Sequence, residues 1–171
     1  MTRREVPPAP VGRSLERDPA LQPLSRDHHH ALVQAVRLRE AAASSPARRL
    51  EVARAFLAFA AGDLAGHFAD EEQVLAEPAQ RADPEGWARL EQEHAGLRTL
   101  VDGLRRACAA GEVPPALLAD TGELLHDHVR FEERALFERL QERLTAGALR
   151  ALGEALLRHR RARGQADACS S

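Results

Sequence analysis

Apolar residues recur along this chain at spacings of three and four, the pattern of helices with one buried face. No segment shows the strict alternation of a half-buried strand. Proline and small polar residues interrupt the pattern at intervals, which predicts helices over about residues 26–43, 46–76, 84–111, 113–144 and 145–159. Four long helices joined by short polar loops favour an all-α fold, an up-and-down four-helix bundle with a short extra C-terminal helix.

The helix ends carry recognisable capping signals. Ser25, Ser45 and Thr145 are predicted N-caps, and Asp83 followed by proline repeats the signal. Residues before the first helix are rich in proline and show little periodicity. The predicted division is a flexible N-terminal arm over 1–23, a bundle over 24–144, and a short helix with a basic and polar tail over 145–171.

Composition excludes several classes of protein. The 171 residues suit one domain, and a net charge of −2 gives no general attraction to nucleic acid or a membrane surface. No apolar run reaches the roughly 18 residues that a membrane helix needs. Cys108 and Cys169 are too few for a disulfide framework, so a cytoplasmic location is expected.

One short motif occurs twice. The segment HFADEEQVL begins at His67, and HVRFEERAL begins at His128, in the same register. Because a helix turns about 100° per residue, Glu71 and Glu132 lie one turn after these histidines on the same apolar face. Each helix therefore directs a His and a Glu toward the bundle axis, while the following glutamate lies at the flank.

The other two long helices add one inward histidine each. His94 lies in phase with the apolar residues of the third helix, and His28 with those of the first. His29 falls at the edge of that apolar stripe, whereas His30 and His126 point away from the axis. Each of the four helices thus places one imidazole in the core.

Six inward polar residues indicate a metal site. A single core histidine is most often satisfied locally, but burying four imidazoles and two carboxylates together costs on the order of several kcal/mol for each unpaired group. Shared cations remove that cost. A closed structural zinc site needs four ligands, whereas six converge here with no cysteine among them, and this count favours two iron or manganese ions. The candidate ligands are His28, His67, Glu71, His94, His128 and Glu132.

The chain resembles the hemerythrin-like, or HHE cation-binding, family over Leu24 to Leu144. The resemblance rests on the motifs LSRDHHHAL, HFADEEQVL, EQEHAGL and HVRFEERALF in this order. It implies a four-helix bundle around two non-haem iron ions, with manganese or zinc as substitutes. It also implies that the four inward histidines are terminal ligands and that Glu71 and Glu132 are bridging carboxylates.

Two departures from the oxygen carriers of that family affect the expected function. Their second bridging residue lies five positions after its histidine, which corresponds to Glu133 here, so Glu132 is chosen by its inward phase. Their fifth histidine, one turn before His94, is replaced by Leu90. An iron ion there would be open to water, to Glu91 or to a small molecule, and we predict irreversible reaction with oxygen or peroxide rather than carriage.

The expected function is a di-iron protein that reacts with or senses dioxygen, peroxide, nitric oxide or iron, peroxide decomposition being its most specific form. No Tyr is present to act as a redox-active phenol. One alternative is a ferritin-like di-iron carboxylate protein, for which Glu91 and His94 would form the Glu-x-x-His pair. Another is a metal-free helical interaction protein that uses the arginine-rich segment 158–163. Neither a membrane nor nucleic acid is an expected partner.

Overall fold

The computed structural model describes residues 16–169, with side chains to residue 165, and residues 1–15 and 170–171 lie outside it. The described residues form no strand and five successive helices separated by short breaks. These are α1 Gln22–Ala42, α2 over 46–82, α3 Pro84–Ala110, α4 over 115–143 and α5 Ala146–Cys169. None of these helices is long and apolar enough to cross a membrane. The helical fold predicted from the sequence is confirmed.

Helix α1 begins earlier than predicted, and Ser25 is not its cap. Asp18 starts a turn in which its carboxylate accepts from the Ala20 amide at 2.9 Å and its carbonyl accepts from the Leu21 amide at 2.9 Å. The helix follows directly, with proline in its first turn. The described part of the predicted arm, residues 16–23, packs against α4 through Arg17, and residues 1–15 lie outside the described residues.

Helix α2 continues through Pro78, where the sequence predicts an end near Ala76. Two wider π-helical turns interrupt it, Ala60–Leu64 and Glu71–Leu75. A proline ring normally clashes with the preceding turn and lacks the N–H that would bond there. Here Pro78 lies three residues after a π-helical turn, in a helix that continues to Ala82. A third π-helical turn, Glu132–Leu136, occurs in α4 at the second copy of the repeated motif.

The capping predictions are partly confirmed. Ser45 accepts a hydrogen bond from the Arg48 amide at 3.3 Å, and Thr145 accepts one from the Ala148 amide at 3.2 Å. Asp83 makes no side-chain cap; its carboxylate instead accepts from Arg139 at 2.8 Å. Helix α5 runs ten residues past the predicted end at His159, to Cys169.

The bundle core consists of two apolar clusters with a polar layer between them. One cluster contains Phe56, Phe68, Leu97 and Leu125, and the other contains Leu75, Leu90, Leu136 and Phe137. On α1 and α3 the inward histidine falls between residues of one cluster and residues of the other, and on α2 and α4 the inward histidine and glutamate together span that boundary. The layer that divides the core is therefore the layer that holds the candidate ligands.

Candidate metal centre

The six residues predicted from helical phase meet in the polar layer, and all six are buried. They form two groups in which one possible ligand atom from each residue lies within 4.8 Å of the others. The groups are His28, His67, Glu71 and Glu132, and Glu71, His94, His128 and Glu132. Both glutamates belong to both groups, so the arrangement has two halves that share their carboxylates.

Glu71 lies between the two halves. Its Oε1 atom is 3.3 Å from Nε2 of His67, and its Oε2 atom is 3.2 Å from Nε2 of His94. One carboxylate thus presents one oxygen to each half. This is the arrangement that a carboxylate bridging two cations requires.

Glu132 also lies between the halves, through a single oxygen. Its Oε2 atom is 3.0 Å from Nε2 of His28 and 3.5 Å from Nε2 of His128. Glu132 is completely buried, whereas the neighbouring Glu133 keeps 25% of its side chain exposed. Glu132, as its inward phase predicts, is therefore the one of these two glutamates that lies among the buried histidines.

The outer nitrogen of every inner histidine faces a carboxylate. The Nδ1 atom of His28 is 2.6 Å from Glu133, that of His67 is 3.3 Å from Asp27, that of His94 is 2.7 Å from Glu72, and that of His128 is 3.0 Å from Glu93. A carboxylate can only accept here, so it favours a proton on Nδ1. The Nε2 lone pairs are then left for cations on the bundle axis.

Unpartnered polar atoms show that this donor set fits metal cations. Both oxygens of Glu71 and of Glu132 are buried without hydrogen-bond geometry, as is Nε2 of His94 and of His128. These carboxylate oxygens and imidazole nitrogens lie within ion-pair distance of each other, but their relative orientation does not meet the geometry of a hydrogen bond. Buried carboxylates in this state are costly, and cations on the axis would satisfy them together with the imidazole nitrogens.

Protons compensate the charge of the metal-free site. Burial alone would lower the pKa of His28, but the nearby charge of Glu132 and the hydrogen bond to Glu133 outweigh it and raise this pKa to about 10. Burial opposes the ionisation of Glu132, yet the charges of His128 and His28 hold its pKa well below the usual range. A metal ion bound at His28 must displace the proton of this imidazole, so metal uptake will release protons.

Aromatic rings enclose the histidines. Phe68 stacks on His94 with ring centroids 3.7 Å apart and meets His128 edge-on at 5.7 Å. Phe137 stacks on His28 at 5.5 Å. These walls surround the site with low-dielectric material, which strengthens the interactions between charges inside it.

Several neighbouring residues lie as the helical phase predicts. His29 and His30 are exposed, and His126 pairs with Asp127 at the surface. Leu90 is fully buried, but Glu91 is exposed. Glu91 is therefore not the shifted ligand that the sequence left open.

The contact of Asp27 with His67 was not predicted from the sequence. It precedes His28 on α1, yet its carboxylate reaches across to His67 on α2. Helical phase predicts which side chains point inward, but not which neighbouring helix a flanking side chain will reach. The one indication of this role in the sequence is that Asp27 directly precedes the inward-facing His28.

A sequence profile described as the hemerythrin HHE cation binding domain matches residues 23–140. No curated protein and no solved structure matches the chain. The chain belongs to the hemerythrin HHE cation-binding family, as the motifs predicted. Its buried histidine and glutamate groups fit a metal-binding protein.

Proposed function

We propose that the protein holds two non-haem iron ions between its first four helices and reacts with a small oxidant, namely dioxygen, peroxide or nitric oxide. The observation that carries the proposal is the pair of buried ligand groups that share Glu71 and Glu132. A nitrogen and oxygen donor set without thiolate suits iron, and two carboxylates offset part of the charge of two cations. Manganese and zinc are the competing ions.

The protein residues would perform three tasks at this site. His28 and His67 would hold one ion, and His94 and His128 the other, while the two glutamates would fix the separation between them. The outer carboxylates keep each imidazole in the tautomer that can ligate. Phe68 and Phe137 stack on His94 and His28 and would hold these two rings in place. Bound iron would supply one-electron redox chemistry with coordination positions that the protein leaves open.

Reaction is favoured over reversible carriage because each half offers only two imidazoles. Leu90 is completely buried at the position where the oxygen carriers have a fifth histidine, and it cannot ligate. The exposed Glu91 does not replace it. The ion near His94 would therefore keep an additional position for a small molecule. We propose an activity that consumes oxygen or peroxide. Repeated turnover of the oxidant would distinguish a catalyst from a protein that senses the oxidant.

The alternative functions have less support from the same residues. A ferritin-like site would need Glu91 beside His94 in the core, but Glu91 is exposed. A metal-free interaction protein would use the arginines of α5, yet Arg160 and Arg163 pair inward with buried Asp70. A cytoplasmic location stays part of the proposal, on the ground of the two cysteines.

Anaerobic loading with ferrous iron, followed by mixing with oxygen or hydrogen peroxide, tests the proposal. We expect two irons per chain and consumption of the oxidant that depends on the loaded iron. His67→Ala should bind less iron and consume less oxidant, whereas His30→Ala, on the exposed face, should match the unmodified protein. A chain that takes up no iron, or loaded protein that leaves both oxidants intact, would overturn it.

A further inference from the structure

Each inner histidine belongs to a triad of imidazole, carboxylate and guanidinium. The triads are His28–Glu133–Arg17, His67–Asp27–Arg160, His94–Glu72–Arg98 and His128–Glu93–Arg89. The arginine nitrogens lie 2.8, 2.5, 2.6 and 2.7 Å from the carboxylates, in that order. Charge-assisted hydrogen bonds of this length hold a carboxylate firmly.

The triads differ in where their arginines come from. Arg89 and Arg98 lie on α3, inside the family-matched residues 23–140. Arg17 and Arg160 lie outside that range, before α1 and on α5, and both serve the half of the site that contains His28 and His67. That half is therefore supported by segments outside the residues that match the family.

Helix α5 is anchored to the bundle through a buried carboxylate. Asp70 is completely buried and lies 2.7 Å from Nε of Arg160 and 2.6 Å from Nη1 of Arg163. Arg163 also donates to the Gly66 carbonyl at 2.6 Å. A Cβ at residue 66 would lie 3.2 Å from the guanidinium carbon, so glycine gives Arg163 room for this approach. Because Asp70 precedes Glu71, the anchor is adjacent to a candidate bridging ligand.

Arg160 connects this anchor to His67. Its guanidinium contacts Asp70 on α2 and Asp27 on α1. Oδ2 of Asp27 accepts from Arg160 at 2.5 Å and lies 3.3 Å from Nδ1 of His67. The arginine bond is the shorter and carries charge, so it determines where the carboxylate sits.

The His67 triad has the weakest contact with its histidine. The 3.3 Å separation is the longest of the four, and its carboxylate belongs to an aspartate, which has a shorter reach than glutamate. The Asp27 side chain is 37% exposed and borders a cleft of about 680 Å³ that also reaches His67. Without Arg160, Asp27 would be free to turn into the water of this cleft.

We propose that Arg160 is a positioning residue for the metal centre: it holds Asp27 against Nδ1 of His67 and thereby fixes the imidazole that faces one metal ion. Helix α5 then helps to set the geometry of the metal site, in addition to packing against the bundle. This inference rests on the proposed di-iron function. It assigns the two halves of the centre different supports, one from α3 and one from α5 together with the segment before α1.

Mössbauer spectroscopy of protein loaded with ⁵⁷Fe tests the inference. In Arg160→Gln we expect a changed quadrupole splitting at one of two iron sites, with the other site unaltered. Arg160→Lys keeps a cation beside Asp27 and should restore most of the original signal. Arg158→Gln removes the same charge from an exposed position of α5 and should leave both sites as they are.

Arg163→Gln separates positioning from simple docking of α5. Arg163 contacts Asp70 and Gly66, so its loss weakens the anchor without removing the partner of Asp27. The inference predicts unchanged iron signals in this variant. Equal spectral changes in Arg163→Gln and Arg160→Gln, or no change in Arg160→Gln, would overturn it.

The metal-free protein provides a readout that does not depend on iron. Nitrogen-15 NMR of the His67 ring should report a hydrogen-bonded Nδ1–H in the unmodified protein and in Arg160→Lys. In Arg160→Gln the Nδ1 resonance should no longer show this hydrogen bond. If the hydrogen-bonded Nδ1–H persists in that variant, the inference is overturned. Failure of the unmodified protein to take up iron would instead reject the di-iron function and leave this NMR comparison to decide the positioning role.

Discussion

Leu90 and His94 lie one turn apart on α3, and both side chains are completely buried. A side chain longer and more polar than leucine at residue 90 would therefore point toward the half of the site that contains His94. The type of residue at position 90 therefore determines how many nitrogen ligands that half of the site can offer.

Leu90→His is expected to move the protein toward reversible oxygen binding. The added imidazole would fill a coordination position that leucine leaves open, and this would slow irreversible consumption of oxygen. Stopped-flow mixing of the iron-loaded, reduced protein with oxygen measures the rate and reversibility. Leu90→Met, which keeps the site apolar at similar volume, is the matched control. Reversible oxygen uptake by the unmodified protein would contradict the proposal that Leu90 prevents reversible oxygen binding.

Glu71→Gln is expected to perturb both iron sites. The carboxylate presents one oxygen to His67 and the other to His94, and a neutral amide offsets less of the charge of two cations in a buried site. Mössbauer spectra should change at both sites. Glu72→Gln, which alters the hydrogen bond to His94 and the ion pair with Arg98 but touches only that half of the site, should affect one iron site and lower metal affinity by about 10- to 100-fold. One intact site in Glu71→Gln would mean that Glu71 is a terminal ligand.

Loss of an inner histidine should lower metal content and stability together. His128→Ala removes a buried nitrogen, and bound metal contributes directly to the free energy of unfolding. We expect less iron per chain and a lower melting temperature, measured by elemental analysis and calorimetry. His126→Ala lies on the same helix but faces away, and it should retain full occupancy. An unaltered melting temperature and iron content in His128→Ala would contradict the assignment.

The helices and the six inward residues could be predicted because both depend on local geometry. A period of 3.6 residues fixes which side chains share a face, so His67 and Glu71 could be placed in the core without knowledge of the partner helices. The π-helical turns and the contact from Asp27 to His67 could not be placed this way, because they depend on packing between helices. The length of α5 was underestimated because its anchor, Asp70, lies on a different helix.

Acid should remove one stabilising contact of the metal-free protein. Burial would raise the pKa of Glu133, but the hydrogen bond from His28 and the charges of His28 and Arg17 lower it from 4.5 to about 2. A depressed carboxyl pKa stabilises the fold above pH 4.5, and this contribution is lost as the pH falls toward 2.

Denaturant unfolding of metal-free Glu133→Gln measures that contribution. We expect the variant to be less stable by about 1.5–3 kcal/mol between pH 5 and 7, the range for a hydrogen bond to a charged group. The difference should shrink as the pH falls below 4.5 and should nearly vanish near 2. A stability difference that does not depend on pH would show that the carboxylate charge is not what stabilises this contact.

The central claim is that two iron ions occupy the polar layer between the apolar clusters. A crystal structure of anaerobically iron-loaded protein, with anomalous data collected at the iron edge, tests it most directly. We predict two anomalous peaks, one contacted by Nε2 of His28 and His67 and one by Nε2 of His94 and His128, with Glu71 and Glu132 touching both. A single peak, or iron bound away from these six residues, would contradict the account.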